Sequence, residues 1–112
     1  VNGRFTLGEN IGDLGGSSVA FDALQAYLKD KGNPGLIDGY TQYQRFFLSW
    51  ATIWRTKTTE EFVVNQVKTD PHSPAQYRAF APIINLDGFH EAWNTKPGDK
   101  MYVPNEKRIV IW

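Results

Sequence analysis

Two carboxylates four residues apart, Glu9 and Asp13, sit in the string Gly8-Glu9-Asn10-Ile11-Gly12-Asp13-Leu14-Gly15-Gly16. On a helix this spacing projects both side chains from one face, about a turn from each other. Like charges so placed repel, so something positive belongs opposite them. Two readings stand. Either an Arg or Lys from elsewhere in the fold neutralises the pair, or Glu9 ligates a metal ion while Asp13 hydrogen-bonds a histidine ligand and holds it in place. The spacing alone is common on solvated helix faces and does not separate them.

A second constellation is Thr69-Asp70-Pro71-His72-Ser73-Pro74, followed by Arg78. An Asp two residues before a His on a turn can orient the imidazole and favour its protonated form, a hydrogen-bond donor to developing negative charge. The plainer reading is a local Asp turn beside a partly exposed histidine. Arg78 is either a clamp on substrate or one end of a surface salt bridge. His90, between Phe89 and Trp93, reads as a packed or surface histidine and is assigned no role.

The elements that position these residues follow from periodicity. From Leu7 to about Lys31, Ile11, Leu14, Phe21, Leu24 and Leu28 fall at helical spacing, and the breaker cluster Gly32-Asn33-Pro34-Gly35 ends the run. Gly12, Gly15 and Gly16 each cost roughly 1 kcal/mol relative to Ala in a helix interior, a cost usual where another backbone or a ligand comes close. A second helix is predicted from about Tyr40 to Lys57 on the stripe Tyr43, Phe46, Phe47, Trp50, Ile53, Trp54, which reads as core. Thr58 with Glu61 matches a capping box for a short third helix. Ser73 as N-cap, Pro74 at the first helical position and Gln76 three residues after the cap repeat that logic, placing Asp70 and His72 at the mouth of a helix that carries Arg78. Asp87 is predicted to cap a helix through Trp93. Met101-Tyr102-Val103 and Ile109-Val110-Ile111 read as short extended pieces. The class is mainly α with at most a minor β-hairpin.

Composition narrows the partners. Twelve Lys and Arg balance twelve Asp and Glu in 112 residues, and no cationic run supplies the basic surface that nucleic acid or an anionic membrane requires. With no cysteine, disulfides, thiolate metal sites and a cysteine nucleophile are excluded. No apolar stretch approaches the roughly 20 residues that span a bilayer, and no signal-peptide pattern is present. Sixteen aromatic residues, seven Phe, five Tyr and four Trp, supply enough buriable surface for one core. The chain reads as one unit, residues 1–112.

Taken together, the strings are more specific than either alone. VNGRFTLGENIGDLGG resembles the segment that carries the third zinc ligand in the neprilysin and endothelin-converting-enzyme family of zinc metallopeptidases, which includes the bacterial PepO enzymes. FFLSWATIWRTK, VKTDPHSPAQYR and the terminal Val110-Ile111-Trp112 are similar to the rest of that family's C-terminal region, in the same order. The resemblance covers essentially the whole chain. It implies the C-terminal part of a thermolysin-like (zincin) catalytic domain, a zinc cofactor and oligopeptide substrates. It also implies roles: Glu9 as the glutamate zinc ligand, Asp13 as the aspartate that hydrogen-bonds a zinc-bound histidine and serves as proton donor, His72 as the oxyanion stabiliser, Asp70 as the residue that positions its ring, and Arg78 as the grip on the substrate backbone.

Departures from the family pattern carry equal weight. The family's H-E-x-x-H helix, with two zinc ligands and the general base, is nowhere in these residues, so the resemblance implies that it lies upstream and that this chain alone is inactive. Ile109 stands where secreted animal members have a near-terminal cysteine, which favours a bacterial homologue; the family likeness implies a periplasmic or cell-surface setting. Gly12 replaces an expected alanine. The apolar surface around the Gly-rich start of the first helix is then expected to be exposed, or covered by a second copy of the chain, and the missing N-terminal portion of the polypeptide becomes the partner. A reading of a different class is a stand-alone helical binding module whose acidic pair holds a structural cation or a basic partner.

Overall fold

The side chain of Asn2 starts the first helix: its Oδ1 accepts from the backbone N–H of Arg4 at 3.1 Å and of Phe5 at 3.3 Å, satisfying two donors that the first turn leaves free. In the computed structural model, which describes Val1–Ile111, this helix (α1) runs Gly3–Lys31. It therefore begins four residues before the predicted start, because Asn2 caps it and the glycines do not interrupt it. At about 1.5 Å per residue, its 29 residues span almost the whole 46 Å length of the molecule. It stops at Gly32, whose φ of 89° is costly for any residue with a Cβ.

The second helix (α2) is Gln42–Ile53, shorter than periodicity predicts. Its start is set by a capping box that the sequence reading overlooked: Gln44 N–H donates to Thr41 Oγ1 at 3.1 Å and Thr41 N–H donates to Gln44 Oε1 at 3.0 Å. Between α1 and α2, Asp38 and Gly39 with φ of 52° and 80° turn the chain so that Ile37 and Tyr40 form an isolated antiparallel bridge. This is the one β feature among the described residues. Neither Met101–Val103 nor Ile109–Ile111 pairs as a strand. Trp112 lies outside the described residues.

Three predicted caps move by a residue. The third helix (α3) is Glu60–Thr69 and is capped by Thr59, whose hydroxyl accepts from Phe62 N–H, rather than by Thr58; this leaves Glu60 and Glu61 in the first turn, where the helix dipole favours them. The fourth (α4) is Ala75–Phe80 with Pro74 at the cap position. Ser73 does not cap it, because its hydroxyl donates to Asn10 on α1 instead. The fifth (α5) is Asp87–Trp93 with Leu86 at the cap. Asp87 is its first helical residue, and its carboxylate accepts from Arg108 Nη1 at 2.7 Å. Short 3₁₀ turns at Ile83–Asn85 and Asn105–Lys107 complete the order. No helix of the described residues is long and apolar enough to cross a membrane.

The core is an aromatic seat for α1. Phe21 stands 5.4 Å from the ring of Tyr43, 5.4 Å from Phe46 and 5.2 Å from Phe47, and Phe47 meets Phe89 of α5 edge-on at 5.3 Å. Leu14, Ile83 and Leu86 close the cluster. Gln44 Nε2 donates to Ala92 O at 3.0 Å, tying α2 to α5. His90 is buried, with Nε2 against Ile84 O at 2.7 Å and Nδ1 against Thr95 Oγ1, so it is a packed histidine. The outer side of α1 is bare: Phe5, Leu7, Ile11 and Val19 are exposed, and a Cβ added at Gly8, Gly12 or Gly16 would meet nothing.

Packing around Phe21 is tightest at Gly88, where an added Cβ would lie 2.2 Å from Phe21 Cε1. That ring is hemmed in on its other sides by Tyr43, Phe46 and Phe47, so it cannot retreat. Gly88→Ala should therefore destabilise the fold by about 2 kcal/mol, despite the roughly 1 kcal/mol that Ala gains in helix propensity. Thermal unfolding followed by circular dichroism should show Tm falling by roughly 8 °C.

Candidate active site

Rotation of α1 about its own axis decides where its acidic residues point. At about 100° per residue, burying Leu14, Phe21 and Leu28 leaves Asp13 roughly 80° and Glu9 roughly 120° around the helix from the middle of that stripe, on the edge that faces the 70–78 segment. Each then meets a partner more than sixty residues away in sequence.

Asp13 meets Arg78. Nε donates to Asp13 Oδ2 at 2.7 Å and Nη2 to Oδ1 at 2.8 Å, the parallel fork geometry that makes Arg–carboxylate pairs strong. Both side chains are largely withdrawn from water, at 17% and 12% exposure. The bond to Asp13 raises the pKa of Arg78, against the opposing pull of burial. The guanidinium also lies 4.1 Å from the centroid of the Trp54 ring, and Trp50 Nε1 donates to Arg78 O at 3.0 Å. In the structure Arg78 forms a salt bridge, and its partner is Asp13 of the acidic pair.

Glu9 meets His72. Glu9 Oε2 is 3.0 Å from His72 Nε2, while Asp70 Oδ1 is 2.7 Å from Nδ1 and also accepts the His72 backbone N–H at 2.9 Å. Both ring nitrogens face carboxylates, and only the doubly protonated ring donates to both at once. The backbone bond from His72, then the side-chain bond, hold Asp70 below the usual carboxylate range. Its contribution to fixing the turn is thus present above that range, and is lost only as pH falls through the lowered value. The predicted Asp-turn and the predicted orientation of the imidazole coexist, because one oxygen serves both donors.

All five candidate residues, Glu9, Asp13, Asp70, His72 and Arg78, converge on one edge of α1. Between the two ion pairs, Ser73 Oγ donates to Asn10 Oδ1 at 2.8 Å. Sequence reasoning missed Asn10, Trp50 and Trp54 as parts of this edge and gave Ser73 to the wrong helix. The available signal was spacing: Trp50 and Trp54 are four apart, on one face of α2, and that face supports α4 as well as the core. As a metal centre the set is incomplete, since no three His, Cys, Asp or Glu residues of the described chain converge to hold an ion.

Removing one partner of a withdrawn ion pair strands the other. A fully buried pair loses about 3–5 kcal/mol in this way; with the residual exposure of Asp13 and Arg78, Asp13→Ala should lose about 2 kcal/mol. Urea titration should show the midpoint falling at constant m, and Asp13→Ala combined with Arg78→Ala should cost less than the sum of the single losses.

The model of Peptidase family M13 matches residues 1–109. Over the whole chain, neprilysin-3 of Drosophila melanogaster is 41% identical and the neutral endopeptidase of Lactococcus lactis is 39% identical. The chain spans 14% and 16% of their lengths. The crystal structure of the Mycobacterium tuberculosis zinc metalloprotease Zmp1 in complex with an inhibitor superposes on the whole chain with a TM-score of 0.92 at 43% identity, and 17% of that chain is covered. The predicted mainly helical, metallopeptidase-type fold is therefore the fold observed, and the chain belongs to Peptidase family M13.

Proposed function

We propose that this chain is the C-terminal part of the catalytic domain of a zinc metalloendopeptidase that hydrolyses oligopeptides, and that it works together with an N-terminal portion of the same polypeptide. The observation that carries this reading is the convergence of Glu9, Asp13, Asp70, His72 and Arg78 from two segments far apart in sequence, Glu9 to Asp13 and Asp70 to Arg78. Family membership and the solved zinc metalloprotease at 43% identity support it. Both members of the acidic pair already have partners within the chain, Asp13 in Arg78 and Glu9 in His72, which favours the peptidase reading over a stand-alone binding module.

In this reading Glu9 is one zinc ligand, and its remaining partners, two histidines with a glutamate base, come from upstream. Zinc in such a site supplies Lewis acidity, lowering the pKa of a water and polarising a carbonyl. The chain's own residues do the rest. His72 donates from Nε2 to the oxygen of the scissile carbonyl as negative charge develops there, and Asp70 keeps Nδ1 protonated and the ring oriented. Asp13 hydrogen-bonds an incoming histidine ligand and is the proton donor, with Arg78 beside it both neutralising that carboxylate and gripping substrate backbone.

The exposed α1 side with Phe5, Leu7, Ile11 and the open glycines is where the upstream portion would pack, and in its absence a second copy of the chain would cover the same surface. A bacterial, extracytoplasmic setting belongs to the same proposal and rests on family likeness.

The test uses the full-length enzyme. Glu9→Gln should lose zinc, whereas His72→Ala should keep zinc and lower kcat by about 100-fold or more, as removal of one oxyanion donor does; turnover unchanged by His72→Ala would remove the oxyanion role. Produced alone, the 112-residue chain should bind zinc weakly and show no peptidase activity. Isothermal calorimetry giving tight one-to-one binding would overturn the shared-site reading.

A further inference from the structure

Three side-chain contacts join α1 to the 70–78 segment in the described residues, and they differ in kind. Glu9 with His72 and Asp13 with Arg78 are pairs of ionisable groups. Asn10 with Ser73 is neutral and sits between them in sequence on both segments. We propose that Asn10 and Ser73 form a positioning latch that keeps His72 in register with Glu9 while the charged groups act. This inference rests on the peptidase reading above.

The argument is one of valence. His72 Nε2 carries a single proton, so donating it to substrate ends the contact with Glu9. Both oxygens of Asp13 are occupied by Arg78, so any histidine that Asp13 orients must share that carboxylate. Each charged contact is thus opened or weakened by the chemistry it serves. Only the neutral one asks nothing of the reacting groups, and its members neighbour the two residues whose separation matters, Asn10 next to Glu9 and Ser73 next to His72.

The latch is built to hold. Ser73 is 6% exposed and Thr6, its far anchor, 3%. Ser73 Oγ donates to Asn10 Oδ1 at 2.8 Å, Asn10 Nδ2 donates to Thr6 Oγ1 at 3.3 Å, and Thr6 Oγ1 donates to Asn2 O at 3.2 Å. The donors run head to tail, so each bond polarises the next. The amide at position 10 accepts at Oδ1 from one side and donates from Nδ2 to the other, whereas an ionised carboxylate there could only accept. The chain of bonds ends on the carbonyl of Asn2, the residue whose side chain caps α1. The hydroxyl that sequence spacing assigns to capping α4 is engaged here, and α4 starts without a side-chain cap.

The experiment compares Asn10→Ala, Ser73→Ala and the double variant in the full-length peptidase. Position 10 is an exposed site within a helix, where Ala is well tolerated, so folding is not at stake. Each single variant should retain stoichiometric zinc by metal analysis, lower kcat about tenfold and leave KM within about twofold, because misplacing a reacting group costs rate rather than binding. The double variant should lose no more than either single one. Hydrogen exchange read by mass spectrometry on the peptide covering residues 70–74 should quicken in both singles while the peptide covering α5 is unchanged. Unaltered kcat, a rise confined to KM, multiplying losses in the double variant, or unaltered exchange at 70–74 would each overturn the latch. If Glu9→Gln in the same preparation retained its zinc, the peptidase reading itself would fall and the latch with it; zinc lost by Glu9→Gln, with Asn10→Ala behaving as wild type, would overturn the latch alone.

Discussion

Everything in this structure depends on how α1 is seated, and Phe21 seats it. The ring is gripped by Tyr43, Phe46 and Phe47 of α2, with Gly88 of α5 close beneath it. Aromatic pairs at these separations contribute about 0.5–1.5 kcal/mol each beyond the area they bury. Three such contacts on one side chain fix the rotation of a helix that is otherwise half exposed. Once that rotation is set, Thr6, Asn10 and Asp13 take the border between core and solvent, and Glu9 lies just beyond it. A turn of even one residue's angle would swing Asp13 away from Arg78.

The same border explains why polar groups on α1 can be both buried and reactive. Thr6 and Ser17 are buried with hydrogen bonds to the backbone of their own helix, so their polar groups are satisfied at no cost to packing. Asp13 is nearly as withdrawn but charged, and it tolerates that only because Arg78 matches it with two parallel bonds. Arg78 in turn is held from three directions: its head by Asp13, its face by Trp54 and its backbone carbonyl by Trp50. Glu9 and His72, closer to solvent, are held by a single contact with each other and are the freer pair. The more buried pair supplies rigidity, and the more exposed pair remains open to solvent.

Local signals in the chain were a good guide wherever the determinant is local. The long apolar stripe of α1, the breaker cluster at Gly32-Asn33-Pro34-Gly35 and the Asp70-x-His72 turn are all observed where spacing puts them, since each is set by a few neighbouring residues. Caps were less legible. Thr58 and Thr59 are equally suited to start α3, and the second does so. Ser73 has every attribute of a cap, yet Asn10 takes its hydroxyl from sixty-three residues away. Asp87 likewise faces Arg108 instead of its own helix. For Ser73 and Asp87 a long-range partner displaced the local one, and no local pattern records that partner's existence.

What the residues determine by themselves is an inventory: a charge-balanced, cysteine-free, mainly helical chain carrying Glu9 and Asp13 on one helix and Asp70, His72 and Arg78 on a turn and the helix after it. Motif likeness then reaches the family, because strings such as GENIGDLGG and TDPHSPAQYR are long enough to be specific. The pairing itself was decided only in three dimensions. That Arg78 meets Asp13, that His72 leans on both Asp70 and Glu9, and that Asn10 links two segments all turn on the rotation of α1 in its aromatic seat. That rotation is a property of contacts among Phe21, Phe46, Phe47 and Phe89, which lie on three different helices and meet only in the folded chain.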